Sequence, residues 1–404
     1  MRGILETTAA RLLTGQAQRI RSAHKLRCMR EPLSRLRTTF SLMFCLVLCG
    51  CASTTGPSNA WGYYWQSLRG HMQIMHAAEP IDDWVARKDI SPALRERLQL
   101  AQRARAFAVT ELRLPDNASY RRYADLKRSA AVWNVVAAPP YSLTLHTWCF
   151  PVTGCIGYRG YFTEAAAQAE AAELAAQGLE VEVYGVPAYS TLGYMNWAGG
   201  DPLLNTFIAW PEGDFVRLLF HELAHQQVYA AGDTAFNESY ATAVDRLGVA
   251  RWLQQHSTAA ARAQFAASEE RRAQFRTLTR ATRARLAQIY ASNNDEAPDY
   301  KALSAMKTEA MQQFHADYAR LRARWLTAGT APAQLASLDL WAREANNASF
   351  AAQGAYDDLV PTFIALFERE GRDWRRFHAA VRLLAEQPQD ARDAALKALA
   401  PAGD

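Results

Sequence analysis

The sequence predicts an α+β fold, mostly helical, with a small β-sheet ahead of the two helices that carry its chemistry. Three observations predict it. Apolar residues recur at helical spacing over most of the chain, residues 130–162 switch to an aromatic and β-branched strand texture, and an apolar helix near residue 220 carries two histidines four positions apart. Half of the 404 residues are hydrophobic, enough for one large unit.

The order of elements follows from local pattern. Residues 63–75 and 92–109 read as helices, and Asp116-Asn117 breaks the pattern, giving a helical start over 61–129. Strands are expected at 131–136, 142–148 and 156–162, followed by an alanine- and glutamate-rich helix over 163–177 that closes at Gly178. A strand over 180–184 completes a β-rich part spanning 130–210. Two helices fill 214–255, and 256–404 is mostly helical. Neither a repeat nor a Ser/Gly linker divides 51–404, which is read as one unit.

The first of those two helices contains His221-Glu222-Leu223-Ala224-His225. Histidines at i and i+4 share one helical face, so both rings can reach one metal ion with the glutamate beside it. A hydrolytic zinc site needs about three protein ligands, an open position and a base. His221 and His225 are therefore assigned as ligands of one zinc ion and Glu222 as the general base. Val216, Leu219, Phe220, Leu223 and Ala224 make the helix a buried one, where a His-Glu-His set without a metal is costly.

The third ligand is read from Asn237-Glu238-Ser239-Tyr240-Ala241 on the next helix. Glu238 supplies a carboxylate, and Ala241 is small enough for the two helices to approach. This is the gluzincin variant of a zincin-like metallopeptidase fold; Val228 and Ala231 stand where a metzincin needs glycine and a further ligand. Gly232 is expected to end the first helix, and Asp233 or Thr234 to cap the second. Asp245 follows Glu238 by seven residues on the same face, placed either to orient a ligand histidine or to stand in solvent. The stretch Tyr189-Ser190-Thr191-Leu192-Gly193 precedes the metal helix where an edge strand can bind substrate backbone, and it reads equally as an ordinary loop.

The amino-terminal fifty residues read as a leader. An apolar run over 40–48, preceded by Arg30, Arg35 and Arg37, ends at Leu48-Cys49-Gly50-Cys51, a lipobox-like sequence with Cys51 as the lipidated residue. Starting at Met29 gives a signal peptide of ordinary length, so 1–28 is read as a misannotated upstream extension and 29–50 as the signal. Ala52 after the cysteine favours the outer membrane for a periplasmic, membrane-anchored lipoprotein. The leader also holds nine Lys/Arg against two Asp/Glu, leaving 36 basic and 38 acidic residues elsewhere. The basic balance is thus the leader's, and nucleic acid is excluded as the expected partner. Eight arginines between Arg251 and Arg285 face only Glu269 and Glu270, and read as a solvated helical face. Cys149 and Cys155, separated by a Pro- and Gly-containing turn, are expected to form a disulfide in an oxidising compartment.

Trp133-Asn134-Val135, Trp148-Cys149-Phe150-Pro151, Tyr158-Arg159-Gly160-Tyr161-Phe162, the 188–193 stretch, the metal helix and residues 233–238 together resemble a bacterial family of lipoproteins described as putative aminopeptidases. The likeness extends over residues 51–377, with Asn346-Asn347-Ala348 also part of it. Tyr194 and Asn196-Trp197-Ala198-Gly199-Gly200 depart from the family pattern before Asp201. The resemblance implies zinc-dependent hydrolysis of a peptide substrate from its free amino terminus. Tyr356 is the candidate donor to the oxyanion, with His315 and Tyr318 as competitors. Asp201, Glu212 and Asp214 are the carboxylates available to meet a substrate amine. Other readings are an endopeptidase, hydrolysis of a non-peptide amide, and a lipid-anchored assembly or chaperone-like factor with a structural zinc.

Overall fold

A computed structural model describes residues 60–150, 154–191, 193, 196–291, 299–353 and 359–400. The expected leader, Cys51, Leu192 and Tyr356 lie outside the described residues. Helix α1 (Ala60–Ala77), strand β1 (Glu79–Pro80) and helices α2 (Ile81–Ala86) and α3 (Pro92–Thr110) open the fold. α3 starts where the Ser91 hydroxyl accepts the Leu94 N–H, with Pro92 at the first helical position. At Gly70 of α1 a Cβ would fall 2.0 Å from Phe162 Cγ, so glycine lets the helix close on the strands beneath.

The β-rich part contains β2 (Arg122–Ala124), β3 (Val132–Ala138), β4 (Trp148–Phe150), β5 (Gly154–Ile156), β6 (Arg159–Tyr161), helix α4 (Glu164–Ala176), β7 (Glu180–Val186) and β8 (Leu203–Leu204). β3 is the central strand of an antiparallel β6-β3-β7 sheet, with Trp133 opposite Tyr161 on one side and Gly185 on the other. Ala167 and Leu174 of α4 pack on Trp133, Val135 and Ala137 of that strand. β1, β2 and β8 form a second sheet, and β4 pairs with β5 across the Cys149–Cys155 disulfide.

Residues 142–147 are not the expected strand. Side chains from distant helices capture the backbone just before them: Asn347 Nδ2 donates to the Pro139 and Pro140 carbonyls at 3.0 and 2.7 Å, and Lys307 Nζ to Pro140 at 2.8 Å. Within the stretch, Ser142 Oγ accepts the Thr144 N–H.

After a short α5 (Asn205–Ile208) come α6 (Glu212–His225) and α7 (Thr234–His256), the antiparallel pair at the centre of the main core. Glu212 and Asp214 in the first turn of α6 suit its N-terminal dipole. α6 ends at His225, not at Gly232. The reason is Asn237, whose amide both accepts the Ala230 N–H at 2.7 Å and donates to the Ala230 carbonyl at 2.8 Å, holding the connection outside helical geometry. Gly232 takes a φ of +81° in the turn before Asp233, which caps α7 by accepting the Phe236 N–H at 3.0 Å.

Gly248, in the middle of α7, costs the helix about 1 kcal/mol relative to alanine. It is needed because a Cβ there would lie 2.7 Å from Leu112 Cδ1 and 2.9 Å from Phe220 Cδ2. The close approach of α6, and of the turn that follows α3, to α7 depends on that hydrogen atom.

The chain continues through α8 (Ala259–Ala291), α9 (Tyr300–Thr327), α10 (Ala336–Glu344) and α11 (Asn347–Ala352), which enclose a second cluster of Phe275, Phe314, Trp325 and Phe350. α12 (Val360–Arg369), α13 (Trp374–Ala385) and α14 (Gln389–Leu399) return to the main core. Two buried polar contacts fasten them to α7. Arg392 Nε donates to Asp233 Oδ2 at 2.9 Å, and the Tyr240 hydroxyl meets His378 Nδ1 at 2.9 Å while His378 Nε2 donates to the Leu112 carbonyl at 2.8 Å. None of the described helices is long and apolar enough to cross a membrane.

Burial lowers His378 to about 4, against the opposing bond to Leu112. The folded ring is neutral, whereas the unfolded ring takes up a proton below its ordinary value. Its contribution is complete above about pH 6.5 and is lost as the pH falls toward 4. Denaturant titrations at pH 7 and 4.5 are therefore expected to show the stability gap between the native chain and His378→Gln shrinking by about 2 kcal/mol at the lower pH. A gap that stays constant or widens contradicts this.

Candidate metal centre

The i, i+4 spacing on α6 presents His221 and His225 toward α7, where Glu238 faces them one turn inside the Asp233 cap. His221 Nε2 lies 3.2 Å from Glu238 Oε2 and 3.2 Å from His225 Nε2, and His225 Nε2 lies 3.7 Å from Glu238 Oε1. One donor atom from each residue falls within 4.8 Å of the others. His225 is buried, while the His221 and Glu238 side chains keep 19% and 25% exposure, leaving the cluster open on one side.

Asp245 decides which form His221 takes. Its Oδ2 is 3.0 Å from His221 Nδ1, and the ring N–H donates there, so Nε2 presents a lone pair. That lone pair faces a carboxylate oxygen and the second imidazole. Three electron-pair donors turned toward one another repel unless a cation stands among them, so the donor set fits a divalent ion of the zinc class. The protonation pattern reports the same demand. Burial would lower His221, yet the hydrogen bonds to Asp245 and Glu238 raise it to about 10, so that a proton takes the cation's part. Burial and the His221 charge drop His225 to about 4.

Glu222 sits between the two histidines in sequence. Burial pushes its carboxyl up to about 7; the Glu238 and Asp201 charges add to this, and His221 and a hydrogen bond from Ser190 oppose it. A carboxylate with that affinity can take up and release a proton near neutrality.

The 188–193 stretch meets the site differently from an edge strand. None of its described residues is in a strand. The Thr191 N–H donates to both Asp201 oxygens at 3.0 Å, its hydroxyl donates to Oδ1 at 2.7 Å, and the Tyr189 hydroxyl lies 3.1 Å from His71 Nδ1. Asp201 thus holds the backbone amide that a substrate strand would need, and Ser190 is turned onto Glu222. Gly193 is in a turn with a φ of +80°. Asp201 also accepts from Gln226 Nε2 at 3.3 Å, fastening the stretch to the end of α6.

Of the three carboxylates considered for a substrate amine, Asp201 is fully buried and Glu212 accepts Trp252 Nε1 at 2.8 Å and the Ser257 hydroxyl. Asp214 lines a cavity and is paired there with Arg272 at 2.7 Å. Of the competing oxyanion donors, His315 is exposed on α9 and Tyr318 gives its hydroxyl to Asp339 at 2.6 Å. Sequence reading missed Tyr158. It is partly exposed, and burial followed by the Glu238 charge pushes its phenol up to about 12, which keeps the proton on and marks its proximity to the ligand cluster. Its place in the Tyr158-Arg159-Gly160-Tyr161-Phe162 motif was the available signal.

A cavity of about 790 Å³ opens beside these groups, lined by His221, Glu222 and Asp245, by Arg217 and Leu218 of α6, and by residues of α8. Arg217 spans from Asp245 at 3.1 Å to Glu269 at 2.8 Å. Compared with known proteins, the chain matches the sequence model of a family described as "Putative aminopeptidase" over residues 62–396. No curated protein and no solved structure matches it.

Proposed function

The chain belongs to the family described as "Putative aminopeptidase", and from that premise we propose that it is a zinc-dependent peptidase of the gluzincin kind, releasing residues from a free amino terminus. The observation that carries the reading is the convergence of His221, His225 and Glu238 donor atoms beside a carboxyl held near neutrality. His221, His225 and Glu238 hold the ion, which when bound polarises a carbonyl and makes water acidic. Glu222 takes the proton from attacking water and passes it to the departing amine nitrogen as the C–N bond breaks. Ser190 aims Glu222, and Asp245 fixes the His221 tautomer. Tyr158 joins Tyr356 as a candidate to donate its phenolic hydrogen to the developing oxyanion, since it stays protonated beside Glu238. The same reading keeps the chain a periplasmic lipoprotein anchored through Cys51.

Aminoacyl chromogenic substrates and internally quenched, N-blocked peptides are the discriminating pair. Cleavage of the first alone, abolished by chelation and restored by zinc, is the expected result. Cleavage of the second at comparable rates would make it an endopeptidase, and no cleavage of either, with zinc bound, would favour a structural metal.

A further inference from the structure

The cavity beside Glu222 carries a charge that the peptidase reading does not use. Three arginines line it. Two are neutralised: Arg217 by Asp245 and Glu269, and Arg272 by Asp214 at 2.7 Å and Glu269 at 2.6 Å. The third, Arg271, has no carboxylate partner among the described residues; its Nη1 reaches only the Thr330 hydroxyl, at 3.5 Å. Arg271 is half-buried, so its guanidinium is partly stripped of water without an anion to compensate.

Its surroundings suit an anion with two oxygens. Gln264, Ser268, Gln334 and Ser337 line the same cavity and offer neutral hydrogen-bond donors, while Asp214 and Asp245 of its lining are already held by Arg272 and Arg217. A second hollow of about 390 Å³ shares Gln264, Arg271 and Gln334 with the first, so Arg271 stands where the two meet; Trp325 and Glu270 line the far one, Glu270 accepting from Gln274 Nε2 at 2.6 Å. The first cavity, at about 790 Å³, lies within the ordinary range for ligand sites and touches the proposed base at Glu222.

Resting on the peptidase reading, we propose that Arg271 is a specificity-determining residue that binds a carboxylate of the peptide substrate, supplied by an acidic side chain or by the carboxyl terminus. The planar fork makes two parallel N–H···O bonds to such a group while the rest of the peptide extends toward Glu222. The enzyme then selects acidic or short peptides.

The test compares kcat/KM on matched zinc-loaded protein for peptides with a free or amidated terminus, and for amidated peptides with Glu or Gln at successive positions. A preference of about tenfold to a hundredfold for one carboxylate-bearing set is expected. That ratio should collapse toward unity in Arg271→Ala, partly recover in Arg271→Lys, and persist in Arg285→Ala, whose arginine pairs with Glu309. Thermal unfolding of each variant establishes that the fold is kept. Cleavage with no charge preference, or a preference that survives Arg271→Ala, overturns the subsite while leaving the peptidase intact. Titration calorimetry of the same peptides covers the opposite case: carboxylate-dependent binding lost in Arg271→Ala, without cleavage of any peptide, keeps the subsite and removes the hydrolase.

Discussion

Glu222→Gln is expected to lower kcat by about a hundredfold to ten-thousandfold while zinc remains bound at one equivalent. The amide has the shape and hydrogen-bonding reach of the carboxyl, so the Ser190 contact and the surrounding packing survive, but it cannot accept a proton. The position is one where burial, with the Glu238 and Asp201 charges, raises the carboxyl, and the variant has no ionisable group to replace it. Metal content by elemental analysis and turnover on an aminoacyl substrate, measured on the same sample, decide it. Full activity with retained zinc would mean that another group takes the proton, or that the metal has only a structural task.

Glu238→Ala is the other large effect, and it strikes at metal retention. It removes the anionic member of the three-donor cluster, so the zinc content of purified protein should fall well below one equivalent and activity with it. Asp245→Asn is expected to be milder, about tenfold to a hundredfold in zinc affinity, because it disturbs the tautomer of His221 without deleting a ligand. Competition with a chromogenic chelator ranks the two. An order reversed from this, with Asp245→Asn the more damaging, would place Asp245 rather than Glu238 next to the ion.

Much of this centre could be read from spacing, because helical period alone places His221, Glu222 and His225, and the Asn237-Glu238 pattern supplies a carboxylate on the next helix. The Asp233 cap and the β3 strand were legible for the same reason: each is written in neighbouring residues. What escaped was whatever depends on partners far along the chain. The 142–148 stretch has strand-like composition, yet Asn347 and Lys307 claim the backbone at its start. Thr191 looks available to a substrate until Asp201 is seen accepting its amide. The arginines of α8 look like a wetted surface, and only the packing of α8 beside α6 makes a cavity wall of Arg271 and Arg272. At Gly248 neighbouring residues offer only a weak helix former, since the side chains that exclude a Cβ, Leu112 just after α3 and Phe220 on α6, come from elsewhere in the chain.

The contacts from α13 and α14 to α7 bear on timing. Asp233 waits for Arg392, 159 positions later, and Tyr240 for His378, 138 positions later. A polypeptide made or exported amino-terminus first presents both histidines and Glu238 long before those clamps arrive. The pocket is therefore completed only after residues 378 and 392 have joined α7, well after its own donors have been made.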